Sequence, residues 1–386
     1  MVHLLIIVIY LSFIALGLPD SLLGASWPVM YTEMGVDVSL MGPVGMVISA
    51  GTILSSLMSD RLTHALGPGK VTALSVATTA LALFGFATCR SYPMLFLWAI
   101  PYGLGAGSVD ACLNNYVALH YSSRHMSWLH CMWGVGASVG PYVMGLILTA
   151  GGHWSRGYQT VGILQVLLTA VILLSLKLWK APPGSEAGEA PRKAKSMGEL
   201  LSIPGARQVL ITFFCYCAME GTAGHWASSY LALARGVDPE TAASFGALFY
   251  LGITLGRGLN GFLTVRFTDT QLIRMGQSVM ALGTAVLLLL PGQAPAMAGL
   301  VLVGLGCAPV YPCIIHSTPG HFGAENSQAL IGVQMACAYM GSCFMPPLFG
   351  VLGSAFSLGL LPVFLLALLA LMIGMHEKML RRIHTT

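Results

Sequence analysis

Tyr102-Gly-Leu-Gly-Ala-Gly-Ser-Val-Asp110-Ala-Cys112 and Val303-Gly-Leu-Gly-Cys-Ala-Pro-Val-Tyr311-Pro-Cys313 are two versions of one phrase, offset by 201 residues. At the same offset of 201, Gly51-Thr-Ile-Leu meets Gly252-Ile-Thr-Leu. Gly136, Pro141 and Gly145 meet Gly341, Pro346 and Gly350 at an offset of 205, and Asp20 and Gly24 meet Glu220 and Gly224 at 200. Glycine-rich stretches match by chance one at a time. Near-constant offsets across four pairs of segments mark a duplicated chain made of two parallel halves.

Composition says what kind of halves these are. The chain has 386 residues, 56% of them hydrophobic and 8% charged, with a mean hydropathy of +0.78. A soluble domain carries about 25% charged residues. A soluble enzyme, a nucleic-acid binder and a disordered regulator are therefore excluded together. A bilayer-spanning helix takes about 20 apolar residues. Twelve such runs are legible, over 3–33, 38–62, 70–89, 93–119, 127–151, 158–180, 207–234, 238–263, 271–291, 294–318, 324–353 and 357–380. Turn and charge signals separate them, among them Gly35-Val36-Asp37, Gly67-Pro68-Gly69 and Asp238-Pro239. Barrel strands would be shorter and alternating. The predicted fold class is all-α: a membrane protein of twelve transmembrane helices, with an N-terminal six-helix half over 1–180, a linker over 181–206 and a C-terminal six-helix half over 207–386.

The basic residues set the orientation. With the N-terminus inside, Arg90, Arg156 and Arg235 face outward, leaving 15 of the 18 Lys and Arg residues on the inner side. Both termini and the linker are expected in the cytoplasm, as in a multi-pass protein of a bacterial cytoplasmic membrane. The net charge of +4 reflects this bias rather than an acidic ligand.

Of 14 acidic residues, three fall inside spans: Asp20, Asp110 and Glu220. A carboxylate within the bilayer is costly and normally faces a cavity, a partner or an ion path. No Lys or Arg is expected mid-span to pair with them, because Arg257 reads as lying at a cytoplasmic helix end. The three carboxylates are thus candidates for proton coupling, or alternatively hydrogen-bonded structural carboxyls. Asn114 follows Asp110 at i+4 and shares its helix face. With it, Asn115, Gln165, Asn260 and Gln334 supply amides, and Trp133, Trp226, Tyr250 and Tyr311 supply flat amphipathic rings. Together with Glu220 and His225 they form a candidate substrate-binding set suited to a hydroxylated ligand. The alternative for each amide is helix–helix contact. His120, His125, His130, His316 and His321 read as interfacial. The nine Cys form no CxxC, and the His and acidic residues are too widely spaced for a metal cluster. No metal, no cofactor and no catalytic constellation is expected.

The loop Ser59-Asp60-Arg61-Leu-Thr-His-Ala-Leu-Gly67-Pro-Gly-Lys70 resembles the G-x-x-x-D-R-x-G-R-R/K signature of the major facilitator superfamily, with Gly256-Arg257-Gly258 and Arg266 in the second half. The resemblance implies a cytoplasmic conformational latch at Asp60, Arg61, Lys70 and Arg257. Gly103 to Val117, Trp128 to Pro141, and Glu220-Gly-x-x-x-x-Trp226-x-x-x-Tyr230 resemble the fucose permease-like branch of sugar–proton symporters. That resemblance implies proton coupling and sugar binding at Asp20 and at Asp110, where the branch typically has Glu. A competing stretch, Gly136-Ala-Ser-Val-Gly140-Pro141-Tyr-Val-Met-Gly145, is similar to the helix 5 motif of drug–proton antiporters. The expected function is proton-coupled uptake of a sugar or similar small polar solute by alternating access. The alternative is proton-driven export of drugs, metabolites or lipid-like compounds. The expected partners are a small-molecule substrate, protons or sodium, and the lipid bilayer, with no nucleic acid, for a chain acting as a monomer.

Overall fold

The structure, a computed structural model, describes residues 2–37, 40–179 and 195–384. Among the described residues the regular structure is helical throughout. In order come α1 (Val2–Asp20), α2 (Leu22–Glu33), α3 (Met41–Leu66), α4 (Pro68–Thr88), α5 (Tyr92–His120), α6 (Ser123–Thr149), α7 (Ser155–Leu174), α8 (Met197–Ser202), α9 (Ala206–Ser229), α10 (Pro239–Leu263), α11 (Asp269–Leu289), α12 (Gln293–Phe322), α13 (Ala324–Ala355) and α14 (Leu361–His384). The short α8 is a capped turn, with Ser196 and Glu199 forming a reciprocal capping box. The others build the twelve expected spans, because the first is broken in two. Pro19 lacks an N–H and crowds the preceding turn, so α1 stops at Asp20 and α2 starts at Leu22.

Helix ends follow glycine rather than charge. Gly67, at φ +81°, ends α3 and Pro68 opens α4, so α3 runs past the polar residues at which the apolar run stops. Gly323, at φ +86°, separates α12 from α13 in the same way. Nine helices among the described residues are long and apolar enough to cross a membrane. Outside that set fall α5, with Asp110, Asn114 and Asn115, α9, with Glu220 and His225, and α10, with Arg257 and Asn260. Their polar residues are what a spanning helix lacks unless it faces something other than lipid.

By contact the chain forms two compact units, Met1–Tyr116 with Leu129–Ala194 and Val117–Trp128 with Lys195–Thr386. Of the expected linker, 181–194 lie outside the described residues. In the first unit α1 lies directly on α6. A Cβ on Gly17 would come within 2.2 Å of the Trp133 carbonyl oxygen, and one on Gly136 within 2.0 Å of that of Ile14. In the second unit a Cβ on Gly341 would come within 2.7 Å of the Phe214 carbonyl oxygen. Gly136 and Gly341, like Ile14 and Phe214, are repeat equivalents, so the duplication legible in the sequence recurs as one contact made twice. Small residues are what allow such approach where lipid supplies no hydrophobic drive.

The second unit takes in the α5–α6 elbow, held by side chains on four sides. Ser123 donates to Asp269, and His316 meets the other carboxylate oxygen of Asp269 at 2.6 Å and the Tyr121 carbonyl at 3.2 Å. Asn260 donates to Ser127 at 2.8 Å, and the Trp128 indole donates to the Gly258 carbonyl at 3.2 Å. His316, read from sequence as interfacial, is a partnered residue of α12, which continues to Phe322.

Candidate functional site

In the first unit, the break after Pro19 leaves the Asp20 side chain exposed at the end of α1. The Tyr102 hydroxyl of α5 donates to one carboxylate oxygen at 2.8 Å, and the Trp133 indole of α6 donates to the other at 2.9 Å. The close α1–α6 approach at Gly17 and Gly136 is what brings the indole within reach. Both donors are neutral, and no Lys or Arg pairs with Asp20 among the described residues. Tyr102 was not a sequence candidate, although it opens the repeated phrase.

One helical turn separates Asp110 from Asn114, and the expected shared face is realised as a bond. The Asn114 amide donates to the Asp110 carboxylate at 2.8 Å, and its carbonyl oxygen lies 3.0 Å from His130 Nε2. All three are buried. The ring of Phe13 abuts His130 edge-on at 5.4 Å. The interfacial reading of His130 is thereby corrected. α6 starts at Ser123, four residues before the apolar run, which carries His130 two turns into the helix. Asn115, on the adjoining face, is also buried.

In the second unit, Arg257 is not at an interface. It is 4% exposed and its Nη2 lies 3.3 Å from both Glu220 oxygens, in a pair whose carboxylate partner is 19% exposed. The expectation that no basic residue meets the intramembrane carboxylates is overturned for Glu220. α10 extends six residues beyond Arg257, about 9 Å of helix, and the side chain turns inward from there. Nη2 also lies 3.5 Å from the Tyr216 hydroxyl, which itself donates to the Cys307 carbonyl at 2.9 Å. The ring of Tyr311 sits 5.6 Å from the guanidinium carbon. Tyr216 and the pairing role of Arg257 were missed because an Arg three residues before an Asn in a glycine-rich run looks like a helix end.

The other candidates separate by what they touch. Gln165, buried, donates to the Ala15 carbonyl, the acceptor that Pro19 leaves without its helical donor. Gln334, fully buried, exchanges hydrogen bonds with Thr318 at 3.1 and 3.2 Å. Both amides bond between helices in this structure. Asn260 is likewise committed to Ser127. Trp226 donates to the Pro346 carbonyl at 2.9 Å and packs its edge on Phe349. His225 is exposed and bonds back to Gly221 at 2.9 Å. Tyr250 is 44% exposed; its hydroxyl lies where a Cβ on Gly224 would stand, one turn along from Glu220. Of the latch residues, Asp60 meets His64 at 3.4 Å within α3, Arg61 and Lys70 are exposed, and Arg257 is spent on Glu220. Among the described residues no cluster of His, Cys, Asp or Glu could hold a metal.

A helical duplicated chain with carboxylates held inside its spans is a transporter architecture, and comparison with known proteins agrees. The Major Facilitator Superfamily model matches residues 9–346, and the chain belongs to that family of multi-pass membrane transporters. The outward-facing fucose transporter crystal structure superposes with a TM-score of 0.81 at 15% identity, covering 97% of this chain and 98% of that one. The proton:xylose symporter superposes with a TM-score of 0.79 at 12% identity, covering 98% and 95%. Among curated relatives, an uncharacterised transporter of Yersinia pestis is 24% identical over 85% of this chain and 82% of its own length. The 4-hydroxybenzoate transporter of Pseudomonas aeruginosa is 25% identical over 75% and 72%. Bypass of stop codon protein 6 of Saccharomyces cerevisiae is 26% identical over 70% of this chain, which spans 59% of that protein.

Proposed function

We propose that this transporter takes up a sugar or similar small polar solute together with protons, across a bacterial cytoplasmic membrane, with both termini inside. The observation that carries the reading is Asp20. Its carboxylate is exposed at a helix break and held by two neutral donors, Tyr102 and Trp133. Taking up a proton there strands no buried cation. Once ionised, each of its two oxygens accepts one hydrogen bond. Such a group can cycle between states as the carrier alternately opens to either side, and the break in the helix gives the backbone beside it room to move. Asp110, joined through Asn114 to His130, is a second proton-holding group on the same unit.

Relatives named for 4-hydroxybenzoate and fold neighbours named for fucose and xylose support a solute of small size with several polar groups. Coupling to protons and the twofold domain plan of 1–180 and 207–386 belong to the same proposal. Nothing specific favours the export reading. Gly136 and Gly140, the residues behind the antiporter-like motif, are spent on bringing α6 against Ile14 and Leu18 of α1.

The test is uptake by proteoliposomes under an imposed inward proton gradient, with a panel of labelled sugars and hydroxylated acids. Solute accumulation that collapses with a protonophore supports the reading. Accumulation that follows sodium, or only the efflux of lipophilic cations, overturns it.

A further inference from the structure

We infer that Arg257 is a carboxylate-binding subsite, so that the solute carries an acid group which takes the place of Glu220 on the guanidinium. This rests on the reading that the chain carries a small polar solute. An arginine has five N–H donors in a planar fork and stays charged in a protein. Among the described residues only Nη2 has hydrogen-bond partners: both Glu220 oxygens at 3.3 Å and the Tyr216 oxygen at 3.5 Å. Nε is buried and makes no hydrogen bond. Fork-to-fork pairing of an arginine with a carboxylate uses two parallel bonds of about 2.7–2.9 Å. The pair with Glu220 is longer and engages one nitrogen, so it neutralises the cation without filling the fork.

A buried, underused guanidinium is expensive for a structural role, where an apolar pair would serve as well. It is what a site reserved for an incoming planar anion requires. The neighbours suit the exchange. Tyr311 supports the guanidinium on its ring face. Glu220 is not fully enclosed, at 19% exposure. Tyr250, exposed on the same face and one turn along, offers a hydroxyl for the hydroxyl groups of a solute. In this arrangement Glu220 acts as a stand-in that keeps Arg257 neutralised between loads, and a neutral sugar would have no means of displacing it. Sugar acids and hydroxyaromatic acids share the chemistry that fits.

The experiment compares matched pairs in proteoliposome counterflow: gluconate with glucose, and 4-hydroxybenzoate with 4-hydroxybenzyl alcohol. One of the two acids is expected to exchange at least about tenfold faster than its neutral partner, and which acid it is distinguishes the two sources. Tenfold corresponds to the loss of one charged contact of about 1.4 kcal/mol. Glu220→Gln is expected to lower the half-saturating concentration of that acid, because the competing carboxylate is gone. The double variant Glu220→Gln/Arg257→Gln leaves no unpaired buried charge; it is expected to keep its melting temperature and lose acid exchange. Equal exchange of acid and neutral partner, or an acid affinity unmoved by Glu220→Gln, overturns the inference while leaving proton-coupled uptake in place. Exchange of none of the four compounds overturns the inference and the polar-solute reading together.

Discussion

Asp20 and Glu220 stand at equivalent positions of the two halves, and the fold answers their charges in opposite ways. Asp20 is held by Tyr102 and Trp133. At the repeat offsets of 201 and 205, those donors become Val303 and Ala338, so Glu220 has neither. Glu220 is held by Arg257, and the residue equivalent to Arg257 in the first half is Ser56, which bonds the Gly107 carbonyl at 3.2 Å. Each half lacks what the other uses. A carboxylate among neutral donors can change charge without consequence for its neighbours. One paired to a buried arginine cannot, because its partner is left uncompensated. The two equivalent acidic positions thus have different surroundings: neutral donors in the first half, on which the proposed proton traffic rests, and a charge pair in the second.

The largest expected effect comes from breaking the second half's pair. Removing one partner of a buried ion pair costs about 3–5 kcal/mol, so Arg257→Gln should lower the melting temperature in detergent markedly, and adding Glu220→Gln should restore most of it. The first half should respond more gently. Trp133→Phe removes one hydrogen bond to a charged group, about 1.5–3 kcal/mol, but leaves Tyr102. Proton-driven accumulation should fall without vanishing, while solute exchange persists. Gln165→Leu orphans the Ala15 carbonyl beneath Pro19, at about 1–3 kcal/mol of stability. The matching position of α9 is Met219, whose N–H leaves no such carbonyl to satisfy. The smallest effect belongs to Arg274→Gln. Its pair with Glu377 is well aligned at 2.7 Å but 53% and 35% exposed, and such pairs contribute about 0–1 kcal/mol. Unfolding midpoints should barely move. A large shift would mean that exposure does not separate the two kinds of pair.

The twelve spans, the duplication and the three intramembrane carboxylates were legible because each is local in the sequence: an apolar run, a repeated phrase, a charge where none is tolerated. The partners were not, because they depend on which residues helix packing brings together. Arg257 was read as belonging to the cytoplasmic end of the 238–263 run, whereas its side chain is buried and pairs with Glu220 of α9. His130 was misplaced because the apolar run starts at 127, whereas α6 starts at Ser123. The partners of Gln165 and Gln334 were not legible, because an amide inside a span needs a partner and sequence does not say whether that partner is solute, side chain or backbone. The Asp110–Asn114 bond was foreseeable, since i and i+4 meet on one helix face whatever the packing.

The central claim is that Asp20 carries a coupling proton. It is tested most directly by counting protons that enter per solute molecule, in proteoliposomes holding either the native protein or Asp20→Asn. The account predicts one proton fewer per solute in the variant, with exchange of solute retained; for a neutral solute that abolishes uphill accumulation. An unchanged proton-to-solute ratio in Asp20→Asn would contradict it.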